Sequence, residues 1–233
     1  MTQPITAARA FADAASRMAN STDTAGDLVL LLLDCVEVLG AEAAGLLVEV
    51  ADDSLELLAS SSHRAEELEL YQLQQQNGPC FDAFHEQCSV AATSPDLEQA
   101  WPPLGARAVE LGFHAVHAVP LLWRGTSIGA LNIFHADRVL LGAEGRLCAR
   151  TFADLTAAIL TRSMDSTVST VRRQVLAALE GRTVIEQAKG IIAYRENLEM
   201  DEAFAQLLRW STVAERSLSD LAADIVASAS ART

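Results

Sequence analysis

The sequence predicts an α+β domain, an antiparallel sheet with helices on one face, followed by a long coiled-coil-like helix and a small all-α three-helix bundle. Three observations point there. Segments 43–50, 54–60, 113–122 and 127–135 have the alternation and flanking turn residues of strands. From Ala143 onward these signals stop, and apolar residues recur at three- and four-residue steps. The charge changes as well: residues 1–170 hold 9 basic and 22 acidic side chains, whereas residues 171–233 hold 8 and 9.

In chain order, residues 5–19 and 24–39 form two amphipathic helices joined by the polar turn Asn20-Ser-Thr-Asp23. A β-hairpin follows around Ala51-Asp-Asp53, and then a helix over 66–76 that stops at Asn77-Gly78-Pro79. A short helix over 79–87 leads to an edge-like segment at 89–93. Helix 103–111 precedes the last two strands, which turn at Trp123-Arg-Gly-Thr126. Phe152, Leu155, Ile159, Met164, Val168, Val171, Val175 and Leu179 then mark one long helix over 143–180, with a phase slip near Ser163. This seam predicts a parallel homodimer; the alternative is a helix that packs back onto its own sheet. After Gly181 come helices over 182–196, 200–213 and 218–229, with acidic or polar starts at Met200-Asp-Glu202 and Ser217-Leu-Ser-Asp220.

Half of the 233 residues are apolar, enough for a sizeable core, and the net charge is −14. The acidic first module should repel polyphosphates and membrane surfaces. Cys35, Cys80, Cys88 and Cys148 form no Cys-x-x-Cys pair. The N-terminus lacks a secretory pattern, and the longest apolar run, 28–33, is far below the roughly 20 residues of a membrane span. These features predict a cytoplasmic protein with reduced thiols. His85 and Cys88 stand three residues apart without a second ligand pair, so no metal is expected. Gly125-Thr-Ser-Ile-Gly129 has hydrolase-like spacing but opens a hairpin strand rather than a strand-turn-helix elbow, and no catalytic residue is assigned. Nothing in the sequence requires a cofactor.

One nine-residue segment, Arg182-Thr-Val-Ile-Glu-Gln-Ala-Lys-Gly190, contains Lys189, the only lysine of the chain. On a helix, Arg182, Glu186 and Lys189 share a stripe. Ala188 and Gly190 beside Lys189 would let a base or phosphate approach the backbone, while Tyr194 offers a stacking surface and Arg195 a second charge. Single-stranded RNA loops are read in this manner. The alternative is a solvated helix face carrying a Glu186–Lys189 pair.

Arg182-x-x-Ile-Glu-Gln-Ala-Lys-Gly-Ile-Ile, Asp201-Glu-Ala-Phe204, Leu207-Leu-Arg-Trp-Ser211 and Leu218-x-Asp-Leu-Ala222 together resemble the ANTAR domain of bacterial antitermination regulators, over about residues 168–228. The resemblance implies a three-helix module on a coiled coil that binds, as a dimer, paired hairpins in nascent transcripts. It places Arg182, Gln187, Ala188, Lys189, Gly190, Tyr194, Arg209, Trp210 and Ser211 on the RNA face. Where such domains commonly carry Asn and basic residues before the last helix, this chain has Glu215-Arg-Ser217.

Asn77-Gly-Pro-Cys-Phe-Asp-Ala-Phe84, Ser94-Pro-Asp-Leu97, Trp101-Pro102, Ala118-Val-Pro-Leu121 and Ile128-Gly-Ala-Leu-Asn-Ile133 resemble the GAF sensor domain of actinobacterial GAF–ANTAR regulators. A pocket for an unknown small molecule is expected between sheet and helices, lined by Cys80, Phe84, Trp101, Phe113 and Phe134; a filled pocket serving as a dimer scaffold is the alternative. The expected organisation is an N-terminal helix (1–23), a GAF sensor domain (24–162), a linker helix (163–180) and an RNA-binding domain (168–228). The expected function is sensor-controlled transcription antitermination. The competing reading is a small-molecule sensor whose helical tail binds a protein partner. A methionine sulfoxide reductase that depends on Cys80 ranks third.

Overall fold

The computed structural model describes residues 5–51, 54–162 and 167–231. The turn residues Asp52 and Asp53 and the phase slip expected near Ser163 lie outside the described residues, as does the start of the 1–23 segment. Helices α1 (Ala7–Asn20) and α2 (Thr24–Leu39) are capped by Thr6 and Asp23, whose side chains accept from the backbone N–H groups of Arg9 and Gly26. Next come β1 (Ala43–Ala51), β2 (Ser54–Ser60), α3 (His63–Gln75), α4 (Pro79–Glu86) and β3 (Val90–Thr93). The short α5 (Asp96–Ala100), which sequence reading missed, precedes α6 (Pro102–Glu110), β4 (Ala115–Trp123) and β5 (Thr126–His135). The chain continues through α7 (Ala143–Leu160), α8 (Val168–Glu196), α9 (Met200–Ala214) and α10 (Leu218–Ser230).

The sheet runs in the order β2-β1-β5-β4-β3, and every neighbouring pair is antiparallel. Helices cover both of its faces, which corrects the expectation of one. Leu46, Val48, Val119, Leu121, Leu131 and Ile133 pack under α2 and α7. Leu47, Leu57, Ala118 and Ala130 pack against α4, and Val116 and Phe134 against α3 and α6. Most of β4 and all but the first residue of β5 are buried. Such near-continuous apolar strands belong to a sheet covered on both sides.

The expected continuous helix over 143–180 is two helices. After Leu160 the chain leaves the helix, and Arg162 donates to Ser21 O at 3.0 Å and Thr24 Oγ1 at 2.6 Å. Helix α8 then packs back over α2, β1 and β2. Its seam residues Val171 and Val175 are buried, beside Glu49, Trp123 and Ile128 around a cavity of about 130 Å³. The seam residues thus serve the chain's own sheet, because irregular heptad spacing and plain helix amphipathicity look alike over two turns.

A second correction concerns Gly181, expected to end one helix and start another. Helix α8 runs through it for 29 residues. A Cβ at Gly181 would lie 2.7 Å from Ala25 Cβ, so glycine is required where α8 crosses α2. Glycine within a helix costs about 1 kcal/mol relative to alanine, and the close crossing offsets it. One apolar core therefore extends from α1, α2 and α7 through Ile185 and Ile192 to Phe204, Leu207, Leu218 and Ala222.

Candidate RNA interface

Helix α8 turns two chemically distinct faces to its surroundings. Gln187, Gly190, Tyr194 and Arg195 point outward and, with Ile191 and the α10 residues Val226, Ala229 and Ser230, line an open groove of about 660 Å³. Apart from the neighbouring residues and backbone of α8 itself, no described atom lies within 4 Å of where a Gly190 Cβ would be, so the helix backbone is bare there. Tyr194 is 90% exposed, an aromatic ring with almost no apolar cover.

The other face carries Arg182 and Lys189 and is turned inward. Lys189 is 3% exposed, which corrects the expectation of an open cationic surface, and Ala188, which the resemblance places on the RNA face, is fully buried. The Lys189 ammonium donates to Glu186 Oε1 at 3.0 Å and Oε2 at 2.7 Å, and stands 5.0 Å from the centroid of the Phe204 ring. Arg182 shares this face, and its Nη2 lies 2.6 Å from Glu66 Oε1 on α3. The Glu186–Lys189 pair thus exists, part-buried rather than on a solvated face. Lys189 follows the spacing of Ile185, Ala188 and Ile192, and that periodicity was the available signal for its burial.

Arg209 and Trp210 are exposed on α9 and are not among the residues that line the groove. Ser211 is half-buried and donates to Arg216 O at 2.7 Å, closing the C-terminal turn of α9. Glu215 takes the left-handed position after it, φ 50°. Of the nine expected contact residues, the structure gathers Gln187, Gly190 and Tyr194 in one groove.

This bundle coincides with a recognised module. Residues 173–226 match the ANTAR domain family model. The rest of the chain is similar in fold to GAF domains. One comes from a phosphoenolpyruvate-protein phosphotransferase of Coxiella burnetii: 18% identity, 69% of this chain and 96% of that one covered, TM-score 0.53. The phycocyanobilin-bound GAF domain of a cyanobacterial phytochrome aligns at 10% identity over 68% of this chain and 96% of its own, TM-score 0.53. An Acinetobacter phosphotransferase GAF domain gives 10% identity, 64% and 89% coverage, and TM-score 0.51. No curated protein matches the chain. Among the described residues no helix is long and apolar enough to cross a membrane.

In the GAF-like domain the expected pocket is filled. Phe113 and Phe134 pack with centroids 5.0 Å apart and, with Leu68, Gln72, Leu97 and Leu104, leave a void of about 10 Å³. That holds about one water, not a small organic molecule. Trp101 is buried in the same cluster and donates from Nε1 to Asp82 Oδ2 at 3.1 Å. Cys80 and Phe84 belong to a separate cluster. Burial raises the Cys80 thiol well above its ordinary value, and the nearby Glu69 adds to the effect, although the residue stands at the start of α4.

Sequence reading missed the polar cluster beside this void. Glu69, fully buried, accepts from Asn132 Nδ2 at 2.7 Å and Gln72 Nε2 at 2.9 Å, while Gln72 Oε1 accepts from Cys80 N at 3.1 Å. Burial pushes the Glu69 carboxyl up to about 7 against these two hydrogen bonds. Gly45 and Gly78 make room: a Cβ at either would come within 2.2 Å of Glu69 Oε1 or Gln72 Oε1. Asn132, a lone amide in the apolar run of β5, was the legible sign.

Proposed function

We propose that this chain is an RNA-binding transcription antitermination regulator, in which the GAF-like domain senses a signal and the ANTAR-matching segment binds paired hairpins in nascent mRNA. The observation that carries this reading is the open groove of α8 and α10. Gly190 leaves backbone accessible there, Tyr194 presents an unpacked ring and Arg195 a guanidinium. Bases splayed from a hairpin loop stack on such rings, at about 1–3 kcal/mol per base. In the same reading the protein acts in the cytoplasm as a homodimer that engages two hairpins. Its dimer contact uses what the packed seam leaves exposed, Val168 and Leu176.

The test is binding of an RNA with two short hairpins, followed by fluorescence anisotropy. Tyr194→Ala should weaken binding by about tenfold or more, the fold-change equivalent of that stacking range. Gly190→Leu should weaken it by filling the groove, without lowering the melting temperature. Equal affinity in the parent and both variants would remove the groove from RNA recognition. A parent chain that ignores RNA but retains a protein partner would favour the tail as a protein-docking element.

A further inference from the structure

Three acidic side chains join the GAF-like domain to the bundle, each across more than a hundred residues of sequence. The first is Glu66, in the opening turn of α3, whose Oε1 receives Arg182 Nη2 at 2.6 Å. The second is Asp201 on α9, whose Oδ1 accepts from the backbone N–H of His63, the first residue of α3, at 2.7 Å. The third is Asp23, which caps α2 and also reaches the start of α10, where Ser219 N and Ser219 Oγ donate to it at 3.0 and 2.5 Å. Each module therefore supplies an acidic group to a helix start in the other, where the exposed N–H groups and helix dipole favour negative charge. Between these contacts Gly181 lies against Ala25, and a small void of about 10 Å³ is walled by Val29, Leu58, Arg182, Ile185 and Phe204.

We propose that these contacts form a latch that holds the bundle closed on the sensor, and that its opening is the step by which the sensor raises RNA affinity. The inference rests on the RNA reading above. In the closed arrangement the Arg182 charge is neutralised by the sensor's Glu66, and Lys189 by Glu186. The outward groove keeps its stacking surface but is deprived of the Arg182 charge. Opening frees that guanidinium, on the adjoining face of α8, to meet a phosphate of the RNA that occupies the groove. The contacts suit a reversible device: they are part-buried or exposed rather than deeply enclosed, and hydrogen bonds to water can replace each of them.

Two full-length variants open the latch by unrelated means. Glu66→Gln removes the charge that holds Arg182. Gly181→Leu places a side chain where α8 crosses Ala25, forcing α8 from α2 while favouring helix more than glycine does. Amide hydrogen exchange across α9 and α10 reports opening, and anisotropy of the two-hairpin RNA at several salt concentrations reports its consequence. Both variants should exchange faster in α9 and α10, with unchanged exchange in β4 and β5, and should bind the RNA about tenfold more tightly. The salt dependence should steepen by about one counterion, the change expected of one added cation–phosphate contact. Arg182→Ala placed in the Gly181→Leu chain should cancel the gain.

Faster exchange with unchanged RNA affinity and salt slope overturns the proposal, as does unchanged exchange in both variants. RNA binding that is absent from every chain, opened or closed, overturns the RNA reading and this inference with it. A failed latch alone leaves the parent's RNA binding and its Tyr194 dependence intact.

Discussion

Lys189 Nζ lies 2.7 Å from Glu186 Oε2 and 5.0 Å from the centroid of the Phe204 ring, so the only lysine in the chain is an internal strut between α8 and α9. Its removal would strand the half-buried Glu186 carboxylate and open space over Phe204. Lys189→Ala should therefore cost about 2 kcal/mol, which for a chain of this size lowers the melting temperature by roughly 4–8 °C. Lys189→Met keeps the volume over Phe204 and should lose about half as much. Calorimetry on the three proteins decides; a Lys189→Ala chain that melts with the parent but has lost RNA would reverse the assignment of this lysine.

The buried carboxyl of Glu69 should make stability depend on pH. Its folded value near 7 exceeds the ordinary 4.5, so between those values the folded chain retains a proton that the unfolded chain has lost. Stability contributed by this group is full below about pH 4.5 and falls as pH rises through about 7. The fall is about 3 kcal/mol at 1.36 kcal/mol per pH unit. His117 works oppositely: burial holds it neutral down to about 4, with His135 and Arg146 adding to the effect, so its contribution rises between about 4 and 6.5. The informative comparison is thus Glu69→Gln against the parent in urea at pH 5 and pH 8. The parent should lose more stability between the two than the variant, in which the Asn132 amide can turn its unpartnered Oδ1 toward the new N–H₂. Identical losses in both proteins would exclude Glu69 as the source.

Glu215 occupies a left-handed position, φ 50°, at the end of α9, a conformation that costs an ordinary L-residue about 1–2 kcal/mol. Asparagine tolerates it better. Glu215→Asn should raise the melting temperature by roughly 2–4 °C, whereas Glu215→Ala should not. Equal melting of the Asn and Ala variants would show that the backbone is unstrained there.

The sequence was most legible where local chemistry and burial agree. Asp23 and Ser217 stand at helix starts as caps, and the alternating strands reappear as an antiparallel sheet in the expected places. It was least legible where one pattern serves two packings. Val171 and Val175 have the spacing of a dimer seam and of a helix lying on its own sheet. Gly181 has the look of a breaker, yet its role depends on Ala25, more than 150 residues earlier.

By itself, the sequence determined the α+β domain, the three-helix bundle and the four motif blocks that mark the ANTAR-matching segment, because these rest on periodicity, caps and local spacing. Tertiary structure alone decided what the inward cations of α8 meet. Arg182 and Lys189 are cations in any reading of the chain. Only the approach of Glu66 from α3, and of Phe204 from α9, turns them inward and leaves Gly190 and Tyr194 facing solvent. Burial of a charge is decided by its partner, and the Glu66 that meets Arg182 lies 116 residues away along the chain.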